Sequence, residues 1–156
     1  MEKVFLSYAH QDNDVPEEWV NIFYNDLNLY TKVYSGKRHL EIWKDGISRE
    51  RRDESIEEEI KKGLREAEML IALVSPSYVQ SWWGAFEREY FQRFVSNKKG
   101  KNRILNVIKL NISTEEVSRL SRDMKVNFTY NFCKDIEGNQ VTIKKDHPDY
   151  EKTIIA

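Results

Sequence analysis

A chain of 156 residues is the length of one domain, and 40% hydrophobic residues with 12% aromatics supply the apolar mass of one packed core. Twenty-five Lys and Arg against 26 Asp and Glu leave a formal charge of -1, which removes the basic footprint of a nucleic-acid binder. The single cysteine, Cys133, closes no internal disulfide, and the three histidines, His10, His39 and His147, show no zinc-ligand spacing, so no metal site is expected.

Short apolar runs alternate with helical patterns along the whole chain, the signature of βαβ units. Val4 to Tyr8 reads as a buried first strand, entered from Met1-Glu2-Lys3 without a signal-peptide region. Pro16-Glu17-Glu18 opens a helix to about Tyr30, with Trp19, Ile22, Phe23, Leu27 and Tyr30 as its apolar stripe. His39 to Trp43 is the second strand, followed by a charged loop from Lys44 to Arg52. From near Asp53 a helix places Ile56, Ile60, Leu64 and Ala67 on one face.

Glu68 to Ser75 is apolar on both alternating sets, as expected of a central strand covered on each side. Its apolar part, Met69 to Val74, is the longest such stretch and far short of the roughly 20 residues that span a bilayer, so the expected location is the cytoplasm with no membrane partner. Pro76 stops that strand, Tyr78 to Phe94 is helical, Ile104 to Leu110 is the fourth strand, Thr114 to Leu120 a short helix and Val126 to Phe132 the fifth strand. After the Glu137-Gly138-Asn139 turn, Val141 to Ile143 extends the sheet or pairs locally, and His147-Pro148-Asp149 opens a last helix. Tyr150, Ile154 and Ile155 begin an apolar face that has no continuation, so residues 1–156 read as one N-terminal domain cut within its last helix.

Five strands separated by helices give an α/β fold, a mainly parallel sheet with helices on both faces. The expected strand order is the flavodoxin-like 2-1-3-4-5, which puts a ligand crevice beyond the carboxyl ends of strands one and three, at Tyr8 to Asp12 and Ser75 to Tyr78. Several chemistries on such a sheet lack their residues. The six glycines contain no G-x-G-x-x-G, Gly36-Lys37 lacks the upstream glycine of a P-loop, and no serine sits in G-x-S-x-G. The third strand ends Leu73-Val74-Ser75-Pro76, without the acceptor aspartate of a phospho-receiver domain.

The segment Ser81 to Phe94 is the informative one. With Trp83 at zero and about 100° per residue, Phe86, Tyr90, Phe94 and Phe91 form an aromatic stripe, and Glu87 falls inside it near 40°. Arg88, Glu89, Gln92 and Arg93 make the opposite, solvated face. An ionised carboxylate among aromatics needs a partner. Two explanations stand: an ion pair with Arg88 or Arg65, or a site carboxylate at the rim of the crevice. Trp82 and Trp83 fit core packing as well as a ligand platform, although an indole one turn before a carboxylate suits a cationic pyridinium ring.

With these residues in view the chain resembles a Toll/interleukin receptor (TIR) domain over essentially its whole length. The matching segments are Val4-Phe5-Leu6-Ser7-Tyr8 with Asp12, Ile42-Trp43-Lys44-Asp45 leading into the family's BB loop, Val74-Ser75-Pro76-Ser77-Tyr78, and Ser81-x-Trp83-x-x-x-Glu87. The resemblance implies a flavodoxin-like fold. Its enzymatic, bacterial-style branch further implies an NADase that cleaves the nicotinamide-ribose bond of NAD⁺ with Glu87 as the catalytic glutamate, giving ADP-ribose or a cyclic isomer. Trp83 then neighbours the nicotinamide end, Tyr8, Ala9 and Asp12 with Ser75 line the pocket, and Lys44 and Asp45 stand at its mouth. NAD⁺ is substrate and no resident cofactor is implied.

The same resemblance implies self-association through the BB loop, activation by oligomerisation, and an effector role in immune or antiphage defence beside a sensor domain after Ala156. It equally admits a non-catalytic TIR-TIR signalling scaffold. Gly84 stands where the family often has cysteine, and the loop after Asp45 has Gly46 but no proline. Arg49, Arg51 and Arg52 hold NAD⁺ phosphates, meet a partner's acidic surface, or simply keep a loop solvated.

Overall fold

The computed structural model describes residues 2–14, 18–34, 40–44, 54–96, 103–110, 112–113, 116, 129–131, 133–136, 139–142 and 148–155. Outside the described residues lie Pro16-Glu17, His39, Asp45 with the arginine loop to Asp53, most of the expected helix at 114–120, positions 126–128 and 132 of the fifth strand, Glu137-Gly138, Ile143 and His147.

Strands β1 (Glu2–Ser7), β2 (Leu40–Lys44), β3 (Met69–Val74), β4 (Ile104–Ile108) and β5 (Thr129–Asn131) form a five-stranded parallel sheet in the order β2-β1-β3-β4-β5. That is the doubly wound order expected from the sequence, with its reversal between β1 and β3. A separate antiparallel hairpin joins β6 (Cys133–Ile136) to β7 (Asn139–Thr142), the local pairing foreseen around the Gly138 turn. Helices α1 (Trp19–Tyr34), α2 (Glu54–Glu66), α3 (Pro76–Gln80), α4 (Trp82–Tyr90) and α5 (Pro148–Ile155) complete the described elements. No helix among the described residues is long and apolar enough to cross a membrane.

Strand parity divides the core into two layers, because successive side chains leave opposite faces. Val4, Leu6 and Tyr8 join Ile42, Ile71, Leu73 and Val107 against Trp19, Val20 and Phe23 of α1 and Tyr150 of α5. Phe5 and Ala9 join Leu70, Ala72 and Val74 against Ile60 and Leu64 of α2 and, beyond them, Tyr78 and Trp83. Ser7 therefore belongs to the second layer. Tyr150 packs α5 into the α1 layer, and burial, with the Asp26 carboxylate nearby, raises its phenol above the ordinary range.

Three boundaries differ from expectation for local reasons. Helix α1 runs four residues past Tyr30, since Thr31 bonds back to the carbonyl of Leu27 and no glycine or proline intervenes before Gly36. The expected single helix from Tyr78 to Phe94 begins earlier, at Pro76, and breaks at Ser81, whose extended backbone (φ -72°, ψ 121°) lets its hydroxyl cap the Gly84 N–H at 3.2 Å. After Tyr90 the helix widens into a π segment over Phe91–Ser96. Strand β4 stops at Ile108 instead of Leu110 because the N–H groups of Lys109 and Leu110 both turn onto the Val74 carbonyl, at 2.8 and 3.4 Å.

Candidate active site

The carboxyl ends of β1, β3 and β4 carry Ser7, Ser75 and Lys109, and two polar constellations are built on them. In the first, Glu87 is fully buried on α4 and its Oε2 accepts a hydrogen bond from Ser7 Oγ. Ser7 Oγ also lies 2.8 Å from the Tyr78 hydroxyl; since serine has one proton to give, Tyr78 donates to it. Burial holds the Tyr78 phenol above its ordinary pKa, so it stays neutral.

In the second, Ser75 Oγ donates to Asp12 Oδ2 at 2.5 Å while accepting the Tyr78 N–H at 3.1 Å, which makes it the N-cap of α3. Lys109 Nζ approaches Asp12 Oδ1 at 3.5 Å. Burial raises the Asp12 carboxyl above its usual range, and the bond from Ser75 and the charge of Lys109 only partly offset this. Tyr78 is the hinge between the two constellations: its amide meets Ser75 and its hydroxyl meets Ser7.

The placement of α4 corrects the wheel drawn from sequence. Its buried residues are Trp83, Gly84, Glu87 and Arg88, continued by Phe91 and Val95 in the π segment. At about 100° per residue these span 0° to 140°, so the buried face is centred beyond the aromatic stripe: Phe86 and Tyr90, near -60° and -20°, pack half-buried at its edge. Phe94 is 46% exposed, and Trp82, 38% exposed, stacks on Phe86 at 5.2 Å along that outer edge. Glu87 lies within the buried arc, as its place inside the stripe implies. Arg88, expected in solvent, is 3% exposed with its guanidinium 5.1 Å from the centre of the Tyr78 ring. Arg65 donates to the Tyr90 hydroxyl at 2.9 Å.

Gly84 explains how Tyr78 comes so close. A Cβ there would stand 2.8 Å from Tyr78 Cε2, inside any normal contact. Gly84→Ala gains about 1 kcal/mol of helix propensity but forces the ring off Ser7. A net loss of about 1–2 kcal/mol is expected, since overpacking a buried contact costs about 1–3 kcal/mol. Urea denaturation measures it, and an alanine variant as stable as wild type would show that the ring moves freely.

The remaining expected site residues fall on different sides of the sheet. Ala9 and Trp83 lie in the same core layer as Tyr78. Tyr8 belongs to the α1 layer and stacks on His10, with ring centres 5.3 Å apart. Lys44 pairs in register with Leu6, shares its face, and extends to the Asn21 side-chain oxygen with its ammonium 4.8 Å from the Tyr24 ring centre. Asp45 lies outside the described residues. Sequence reasoning passed over Ser7 and Lys109 as site residues; it reached Tyr78 only as the end of the crevice segment and Arg88 only as an ion-pair candidate for Glu87. Ser7 was legible as a lone hydroxyl between Phe5 and Ala9 on an otherwise apolar strand face, and Lys109 as a charge directly after a buried strand.

A cleft of about 510 Å³ opens elsewhere, at the amino-terminal edge of the sheet, lined chiefly by Val4, Leu27, Leu40, Met69, Ile71 and Leu105. Glu2, Lys3, Glu68 and Arg103 also border it, Arg103 paired with Glu68 at 3.6 Å, and it lies at the far ends of the strands from Glu87. Among the described residues no group of three or more His, Cys, Asp and Glu could hold a metal ion.

The doubly wound sheet, with a buried glutamate helix placed over the carboxyl ends of β1 and β3, defines a flavodoxin-like module whose polar groups gather at its switch point. A family model for the TIR domain matches residues 4–139, and the chain belongs to that family. Among solved structures it is similar to the TIR domains in the activated Roq1 resistosome, which directly recognizes the pathogen effector XopQ; identity is 15%, 84% of this chain and 87% of that chain are covered, and the TM-score is 0.53. At that identity the likeness speaks for the fold. No curated protein matches the chain.

Proposed function

We propose that this TIR domain is an NAD⁺ glycohydrolase that cleaves the nicotinamide-ribose bond, with Glu87 as its catalytic carboxylate. The observation that carries the proposal is the position of Glu87: it hangs from α4 over the carboxyl end of β1, oriented by Ser7, with Trp83 one turn earlier on the same buried face. Ligands of doubly wound sheets bind beyond those strand ends.

The chemistry asks little more of the protein. Nicotinamide leaves as a neutral molecule from a cationic precursor, so its departure requires no general acid. The bond breaks through an oxocarbenium-like state, and a preorganised carboxylate stabilises the positive charge that develops at the anomeric carbon. Water attacks to give ADP-ribose, or an adenine nitrogen of the same molecule attacks to give a cyclic isomer. Tyr8, Ala9, Asp12 and Ser75 would border the substrate, with Lys44 and Asp45 at the mouth.

Glu87 is 0% exposed, so substrate enters only when α3 and α4 yield, and assembly of several copies is the proposed trigger. Membership of the TIR family and the resistosome origin of a structural neighbour support self-association and an effector role in immune or antiphage defence, beside a sensor domain. Concentrated or artificially oligomerised protein is expected to release nicotinamide from NAD⁺, read by chromatography. No release in either state would sink the enzymatic proposal.

The same burial favours a second function, a non-catalytic TIR-TIR scaffold in which the Ser7–Glu87 bond only braces α4. Replacing Arg49 and Arg51 by alanine is then expected to weaken self-association in sedimentation while the monomer's melting curve stays unchanged. Unaltered assembly would remove that loop from the interface.

A further inference from the structure

We propose that Arg88 is the seat of a phosphate-type anion, the diphosphate of the dinucleotide substrate, held beside Glu87. The identity of that anion rests on the NAD⁺ proposal; the seat itself rests on the buried donors. Arg88 is 3% exposed, and its Nε and Nη1 are buried with no hydrogen-bond partner among the described residues. The guanidinium lies over the Tyr78 ring, 5.1 Å from its centre, and its charge and a side-chain hydrogen bond act on the Tyr78 hydroxyl, yet Nε and Nη1 are left over.

An arginine in this state is a net cost to the empty fold, because a buried charge with unspent donors has lost its water and gained little in return. A leucine or methionine would pack α4 against α3 more cheaply. The arrangement makes physical sense when an anion arrives edge-on, since a planar guanidinium pairs with phosphate oxygens through those same N–H groups. One turn further along, the buried Oε1 of Gln92 likewise has no partner among the described residues, and an adjoining ribose hydroxyl can donate to it. Donors for phosphate and an acceptor for sugar thus stand next to the proposed catalytic glutamate, on the same helix.

Arg88→Met keeps the side chain's length and removes the charge. Titration with ADP-ribose, and separately with inorganic pyrophosphate, reads binding without chemistry. Wild type is expected to bind ADP-ribose more tightly than pyrophosphate, and R88M to bind both about tenfold or more weakly, while melting at or above the wild-type temperature. With turnover, KM for NAD⁺ rises in R88M by more than kcat falls.

Equal affinity of R88M and wild type for ADP-ribose overturns the proposal, as does failure of wild type to bind either anion. An R88M that melts lower or fails to fold also overturns it, because Arg88 would then be structural in the empty module. Tighter binding of pyrophosphate than of ADP-ribose would overturn the dinucleotide assignment and leave a free-phosphate site. Arg88-dependent ADP-ribose binding without any nicotinamide release would instead sink the enzymatic proposal and leave the seat standing.

Discussion

Glu87→Gln is expected to abolish nicotinamide release, by on the order of a thousandfold or more, while moving the melting temperature little. Glutamine fills the same buried volume, and its carbonyl oxygen still accepts the hydrogen bond that Ser7 donates to Glu87 Oε2. Only the negative charge facing the developing oxocarbenium ion is lost, and a thousandfold corresponds to about 4 kcal/mol of transition-state stabilisation. Glu87→Ala is a poorer test: at a fully buried position it leaves a void and strips the Ser7 hydroxyl of its acceptor, at about 1–3 kcal/mol for the unsatisfied group. Alanine would therefore lower activity through folding alone. The decisive comparison is the rate of E87Q against wild type in the oligomerised state, with the circular dichroism melt as control. Equal turnover by E87Q would remove the carboxylate from the mechanism and leave the scaffold function.

The sheet was legible because its evidence is local. Two-sided apolar character in Leu70 to Val74 marks a central strand, and Val4 to Ser7, covered by helices of both layers, marks its neighbour. With β1 and β3 adjacent, right-handed crossovers leave few orders, and the switch point follows. The face of α4 was less legible. Residue type put Trp83, Phe86, Tyr90, Phe91 and Phe94 on one inward stripe, and all but the exposed Phe94 reach the core, but the burial of Gly84 and Arg88 goes with the close approach of Gly84 to Tyr78, a contact that crosses the break at Ser81. Nothing in a 3.6-residue period records it. Arg88 is the consequence: a charge assigned to solvent by its type is drawn inward beside the smallest residue of the helix.

The polar site divides along the same line. Glu87 was named from sequence because it interrupts an aromatic stripe, and Asp12 and Ser75 because they fall at the expected switch point and in segments that resemble the family, whereas their partners depend on which strand ends meet in space. Ser7 reaches Glu87 across 80 positions, and Ser75 reaches Asp12 across 63. Tyr8 and Lys44 were grouped with Glu87 by proximity to the loops at the strand ends, yet strand parity and register direct both toward α1. A period of two decides such questions only once the register is known.

Lys109→Met is expected to cost about 3 kcal/mol at pH 7, because it leaves the Asp12 carboxylate buried with Ser75 as its remaining donor among the contacts described above. Methionine keeps the length of the side chain and loses only the ammonium, which also lies 6.0 Å from the Trp19 ring centre, so loss of the charge dominates. In wild type, burial already raises the Asp12 pKa above its ordinary 3.8, with Ser75 and then Lys109 opposing; removing Lys109 drives it higher. The native state then holds its proton more tightly than the unfolded chain between 3.8 and the raised value. Stability from this group is complete below 3.8 and is lost as pH rises through the folded pKa. The deficit of K109M relative to wild type should accordingly be small in acid and grow with pH, as urea denaturation at several pH values would show. Asp12→Asn retains an acceptor for Ser75 but takes the carboxylate from the equally buried Lys109, at a similar cost of about 3 kcal/mol, whereas the double variant D12N/K109M removes both charges and returns to within about 1 kcal/mol of wild type. A K109M deficit independent of pH would mean that Lys109 acts through packing, and a double variant as weak as K109M would mean that Asp12 and Lys109 are not coupled.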